Sequence, residues 1–212
     1  MEQKNADELK ARSRAAFDAQ AETYDAGMQG DHARGLYRIV AGEVARACGG
    51  IDSPRVLDLG CGTGALAEIV LDEIPGCALV GVDLSANMAE RAAERLGGRA
   101  EVVVGDAERL PFRDNSFDAA YCNDSFHHYP DPALAAFQVW RALRPGGTFV
   151  VGDVWHPAPA RAVRRAWMPH PGEGDVRIYS EGEMREILGT WFGSVSWRRI
   201  GLTSCVAIAR KD

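Results

Sequence analysis

Apolar and polar positions change their period along this chain. Over roughly the first 50 residues the apolar positions recur with helical spacing. Leu36, Ile39, Val40, Val44 and Ala47 share one face, and Gly49-Gly50 stops the run. From Arg55 onward short apolar runs alternate with helical stretches. Strands are expected at 55–59, 78–82, 100–104, 117–122 and 147–153, and helices at 64–74, 86–96 and 132–143. Asp131 and Pro132 read as an N-cap with proline at the first helical position, and Arg144-Pro145-Gly146-Gly147 closes that helix. Such alternation with short links implies an α/β fold, a parallel sheet with helices on both faces.

The last quarter breaks the rhythm. Residues 155–178 hold Pro157, Pro159, Pro169 and Pro171 with Trp155, Trp167 and Met168, and only a short helical stretch near Arg161. Ser180 and Glu183 then form a capping box ahead of Met184, Ile187 and Leu188. Runs at about 193–200 and 202–209, separated by Gly201, are expected to pair as an antiparallel hairpin.

Composition narrows the classes. A chain of 212 residues, 46% hydrophobic, fits one α/β domain with or without a small cap. Lys and Arg total 24 against 30 Asp and Glu, a net charge of −6, and Arg161, Arg164 and Arg165 are too few to track a phosphate backbone. Nucleic acid is therefore not the expected partner. The five cysteines (Cys48, Cys61, Cys77, Cys122, Cys205) form no C-x-x-C pair and no His cluster accompanies them. That spacing argues for a reducing compartment and against structural zinc, and no metal ligand is assigned. The opening MEQKNADELK is charged without an apolar core, unlike a signal peptide, and no run reaches the length of a membrane span. A cytoplasmic soluble protein is expected.

The chemistry concentrates in Val56 to Gly64, VLDLGCGTG. A strand runs into Gly60, Gly62 and Gly64, and a helical face of Leu66, Ile69, Val70 and Ile74 follows at once. Glycine suits a backbone that must bend through positive φ and let a ligand touch the main chain. The helix start is expected to offer unpaired N–H groups to the ligand. Gly60, Gly62 and Ala65 also satisfy G-x-G-x-x-G/A, so a nicotinamide dehydrogenase stays open at this point. Asp83 ends the second strand about twenty residues on, where a carboxylate accepts both hydroxyls of a ribose. Asp106 follows the third strand, where it could accept the exocyclic amine of adenine while the Ala107 amide meets a ring nitrogen. Leu84 and Met88 would cover the adenine faces.

In this order VLDLGCGTG, VGVDLS, GDAERLPF, FDAAYCNDSFHHYPDP and LRPGG resemble the class I S-adenosylmethionine-dependent methyltransferases. Among these the chain is most similar to the small-molecule type 11 group that includes ubiquinone and menaquinone biosynthesis enzymes. The resemblance covers about residues 55–153. It implies a Rossmann-like, doubly wound, mostly parallel seven-stranded sheet ending in an antiparallel hairpin strand. It also implies an N-terminal helical lid over residues 1–50, a cofactor-binding domain over 51–212, and a substrate cap at 155–178. By the same resemblance Asp58 and the loop Gly60-Cys61-Gly62 receive the methionine portion of S-adenosylmethionine. Asp83 takes the ribose, and Asp106, Ala107, Leu84 and Met88 surround the adenine. Asn123 and Ser125 lie beside the sulfonium. Phe17 to Asp25, FDAQAETYD, resembles the lid of this group, with Tyr24 reaching the cofactor carboxylate.

The implied reaction moves a methyl group to an O, N or C nucleophile of a small molecule and leaves S-adenosylhomocysteine. It is an in-line displacement needing no metal and no covalent intermediate, and positioning alone can lower such a barrier by roughly 7–11 kcal/mol. His128 is the first candidate for a general base and His127 the second, both just after the fourth strand. Asp153, His156 and His170 are weaker candidates. The tryptophans and Met168 of 155–178 suggest an apolar or aromatic acceptor, and the expected assembly is a monomer or homodimer. Two other readings remain open here. One is a non-catalytic S-adenosylmethionine-binding sensor or assembly subunit. The other, a nicotinamide oxidoreductase, lacks a Tyr-x-x-x-Lys pair and leaves Asp106 without a task.

Overall fold

The computed structural model of the protein describes residues 2–26, 28–161 and 176–212. Helix α1 (Glu2–Gln20), a 3-10 turn (Tyr24–Ala26) and α2 (Met28–Ala47) come first. The alternating region follows as β1 (Arg55–Leu59), α3 (Ala65–Glu73), β2 (Ala78–Asp83), α4 (Ala86–Leu96), β3 (Glu101–Val104) and β4 (Phe117–Asn123). A 3-10 turn (Phe126–His128), α5 (Pro132–Ala142), β5 (Leu143–Val154), α6 (Glu181–Gly189), β6 (Ser194–Ile200) and β7 (Ser204–Arg210) complete it.

The seven strands lie in the order β3-β2-β1-β4-β5-β7-β6. All neighbours from β3 to β5 are parallel, and β7 runs antiparallel to both β5 and β6. The expected mostly parallel sheet with an antiparallel terminal hairpin is therefore present. Central strands covered on both faces read as continuous apolar runs, and β1 and β4 do so except for Arg55 and Asn123 at their ends and Asp58 and Asp118 within them. One face packs Leu57, Leu59, Phe117, Phe126 and Phe149 against α5 and α6. The other packs Val56, Tyr121 and Val150 against α2 and α3 through Leu36, Val40, Val44, Leu66 and Val70.

Two elements differ in extent from the sequence pattern. The strand expected at 147–153 begins at Leu143, which pairs with Phe117 before Thr148 takes up Ala119. Arg144 to Gly147 thus loop out of an existing ladder rather than preceding it. The first 50 residues divide by position. Helix α2 belongs to the packed layer, whereas α1 and the Tyr24 turn lie across the C-terminal ends of the strands. In the region expected as a cap, residues 162–175, with Trp167, Met168, Pro169, His170 and Pro171, lie outside the described residues. Val176 and Arg177 donate their amides to the His127 carbonyl and so dock the returning chain beside β4.

Strand order reverses between β1 and β4, which opens a crevice at their carboxyl ends. The glycine turn makes this crevice passable. Gly60 has φ +72°, and a Cβ there would lie 2.8 Å from Ser125 Oγ. Gly64 has φ +78°, and its Cβ would meet the Ala92 backbone of α4 at 3.1 Å. Gly64→Ala must adopt a left-handed backbone and also push against main chain. It is expected to lower stability by about 1–3 kcal/mol, read as a reduced denaturant midpoint at unchanged slope.

Candidate functional site

A cleft of about 770 Å³ lies over this crevice. Its walls bring together most of the residues singled out from the sequence: Gly60 and Gly62 from the β1 turn, Asp83, Leu84 and Met88 after β2, and Asp106 and Ala107 after β3. Asn123, Ser125 and His128 follow β4, and Tyr24 closes the opposite side. Asp58 and Cys61 are not among the lining groups. The Asp58 side chain sits beneath the turn and accepts a hydrogen bond from the Tyr121 hydroxyl at 2.9 Å. Burial pushes its carboxyl up to about 7, against the pull of that hydroxyl. Cys61 turns its sulfur onto Gly81, where a Cβ would lie 3.0 Å from it.

Ahead of the helix start, where free donors are expected, the turn engages its own amides. Gly60 and Cys61 donate to the Val82 carbonyl at 2.8 and 3.0 Å, and Gly64 donates to the Cys61 carbonyl at 3.0 Å. Gly62 donates to Asp83 Oδ2 at 2.8 Å. With four amides spent inside the protein, what the turn gives a ligand is close approach and carbonyl oxygen. Asp83 accepts a second amide, from Ser85 at 2.9 Å, and burial still raises its carboxyl to about 6 against these two donors.

Several lining residues carried no signal that periodicity could reveal. Lys10 of α1 sits 2.8 Å from Asp106 Oδ2 and 2.5 Å from Glu108 Oε2. Burial lowers the pKa of its ammonium, but the two carboxylates outweigh that and hold it above the usual lysine range. Phe17 meets His128 edge-on at 5.1 Å between ring centroids, and His127 stacks behind His128 at 4.0 Å. Further along α1, Asp18 accepts from Ser85 Oγ and from Asn87. Asp25 takes Thr63 Oγ1 and the Arg95 guanidinium. These contacts fasten α1 and its following turn to the strand ends. Among the described residues the cleft is acidic: Asp83, Asp106, Glu108 and Asp124 face it against one ammonium, that of Lys10.

Behind the β4 end lies a second polar group. Asp124, in the left-handed region at φ +55°, accepts from or pairs with His32 Nδ1 of α2 at 2.8 Å. This contact with Asp124 holds the imidazole above its ordinary pKa. His32 Nε2 lies 2.8 Å from Ser204 Oγ and 3.2 Å from the Thr203 carbonyl. His127 Nδ1 is 2.5 Å from Asp153 Oδ1, and burial raises that carboxyl despite the imidazole.

With this geometry in view, residues 57–151 match the sequence family of the methyltransferase domain. That stretch is a methyltransferase domain. Over 139 residues the chain is 32% identical to the demethylmenaquinone methyltransferase of Thermotoga maritima, covering 61% of this chain and 60% of that protein. The chain spans about half the length, or less, of other curated relatives that it matches. Among solved structures, a chain of the complex between the Haloferax volcanii Trm112 methyltransferase activator and a methyltransferase superposes with a TM-score of 0.74. It is 22% identical and covers 92% of this chain and 98% of its own. A Haemonchus contortus phosphoethanolamine N-methyltransferase solved with S-adenosyl-L-methionine gives a TM-score of 0.67 at 18% identity, covering 82% of this chain and 52% of its own. The likeness covers more of the chain than residues 57–151, and at these identities it is a likeness of fold. No described helix is long and apolar enough to cross a membrane.

The Lys10 contacts give a direct test of how α1 is held. Lys10→Ala leaves two carboxylates facing each other at a partly buried site, and stability is expected to fall by about 1–3 kcal/mol. The contribution of a cation with raised pKa is complete below the unfolded value near 10.5 and is lost as pH rises through the folded one. Protection of the α1 amides, measured against their intrinsic exchange rate, should therefore fall in the variant at neutral pH and be retained there in the wild type.

Proposed function

We propose that the protein is an S-adenosylmethionine-dependent methyltransferase acting on a small-molecule acceptor. The observation that carries this reading is the acidic cleft over a turn whose amides are already spent. A dinucleotide brings a diphosphate, which needs amide donors and positive charge, and this cleft supplies neither in excess. A sulfonium bearing an ammonium group is a cation and suits four carboxylates against one lysine.

In this reading Asp83 accepts the ribose hydroxyls and Asp106, with the Ala107 amide, meets the adenine edge. Leu84 and Met88 cover the ring faces. The carbonyls of the Gly60 turn lie toward the methionine portion, with Tyr24 closing over it, and Asn123 and Ser125 flank the sulfur. S-adenosylmethionine itself supplies the activated methyl group. The protein's part is to align donor and acceptor and to exclude water. Helix α1 serves as the lid, and Phe17 with His128 forms the wall against which the acceptor rests. His128 is the group placed to take a proton from an acceptor hydroxyl or amine. An apolar or aromatic acceptor suits Phe17, Tyr129 and Pro130 on that wall. All five cysteines are free thiols, which supports a reducing, cytoplasmic setting.

Calorimetry should show S-adenosylhomocysteine binding and NADH failing to bind; the opposite pattern would end this reading. Ribose recognition needs the ionised Asp83, so affinity should be flat above pH 7. Below the folded value of about 6 it should weaken by up to about tenfold per pH unit, and Asp83→Asn should abolish that dependence. Transfer of labelled methyl groups to a panel of phenols, quinones, acids and amines identifies the acceptor class. With that acceptor, His128→Asn should reduce turnover by about 10²-fold at unchanged cofactor affinity, and full turnover would remove His128 as base.

A further inference from the structure

Asp124, His127 and Asp153 each offer a ligand atom, and these atoms lie within 4.8 Å of one another. The three come from different backbone segments: the β4 exit, the 3-10 turn after it, and the end of β5. The carboxylates are well enclosed, with side-chain exposures of 11% for Asp124 and 1% for Asp153. Among the described residues, their ion-pair partners are imidazoles alone, with no lysine or arginine. Two buried carboxylates without a permanent cation are costly unless positive charge is brought to them.

His32 backs this group from α2. Its Nδ1 lies 2.8 Å from Asp124 Oδ1 and its Nε2 2.8 Å from Ser204 Oγ, so the imidazole fixes the orientation of the Asp124 carboxylate from outside the cluster.

We infer that Asp124, Asp153 and His127 form a site for a divalent transition-metal cation, with His32 orienting Asp124. One imidazole and two carboxylates suit Zn²⁺ or Mn²⁺ better than Mg²⁺ or Ca²⁺, which favour all-oxygen sets. Asp124 lines the cleft, so a cation held there faces the acceptor space. It would take an acceptor through an oxygen, a hydroxyl or carbonyl, and ease loss of its proton. That consequence for the acceptor rests on the proposed function; binding of the cation does not.

The test uses metal-stripped full-length protein titrated with Mn²⁺ by electron paramagnetic resonance and with Zn²⁺ by calorimetry, with Mg²⁺ as control. One Mn²⁺ or Zn²⁺ should bind per chain, well ahead of Mg²⁺, and Zn²⁺ should raise the thermal midpoint. Asp124→Asn keeps a residue type that tolerates the left-handed backbone and should weaken binding by at least about tenfold. Asp153→Asn removes the other carboxylate and should do the same. Asp153→Asn, which does not line the cleft, should still bind S-adenosylhomocysteine as the wild type does, and a cooperative thermal transition verifies that both variants are folded. Absence of metal binding to the wild type, or unchanged binding in both variants, overturns the site. Metal binding without any S-adenosylhomocysteine binding would leave the site standing and remove the methyltransferase reading instead.

Discussion

Asp83 lies between two backbone amides, those of Gly62 and Ser85, and it joins the β1 turn to the β2 exit. Both segments that edge the crevice on this side take their position from one carboxylate. Burial raises its pKa, so the amides matter: they make an ionised group tolerable where water is scarce. The Gly62 amide is consumed in this contact, so the hydrogen bond that positions the turn also withdraws one donor from the cleft.

Helix α1 and the turn after it are held by the same kind of interaction. Lys10 meets Asp106 and Glu108, and Asp18 and Asp25 reach Ser85, Thr63 and Arg95 on the strand-end side. Apolar contact contributes where Phe17 reaches His128, beside these charged and hydrogen-bonded contacts. Helix α2, by contrast, buries Leu36, Val40 and Val44 against the sheet and cannot leave it.

The polar cluster behind β4 shows how a sheet assembles chemistry from distant residues. Asp124 and Asp153 end adjacent parallel strands, so their carboxylates converge at one edge. His32 arrives from a helix packed on the opposite side of Asp124, and Ser204 and Thr203 come from the terminal hairpin. Such a group depends on strand order and register as much as on residue type.

Local pattern was enough for most elements and for the position of two cleft acids. Alternating apolar runs, the Asp131-Pro132 start of α5 and the Ser180–Glu183 capping box are interactions among near neighbours, and all are found where the pattern places them. Asp83 and Asp106 were legible as cleft-lining groups because Asp83 ends β2 and Asp106 lies two residues past β3, at strand ends whose direction is known once the sheet is parallel. Tertiary structure alone decided which way side chains turned at the site. Asp58 and Cys61 face inward because Tyr121 and Gly81 on neighbouring strands receive them. Lys10, Asp124 and His32 join the cleft or its backing through contacts spanning 92 residues or more along the chain. Periodicity reports which face of an element is apolar; it does not report what that face meets, and long-range contacts of this kind are set by packing.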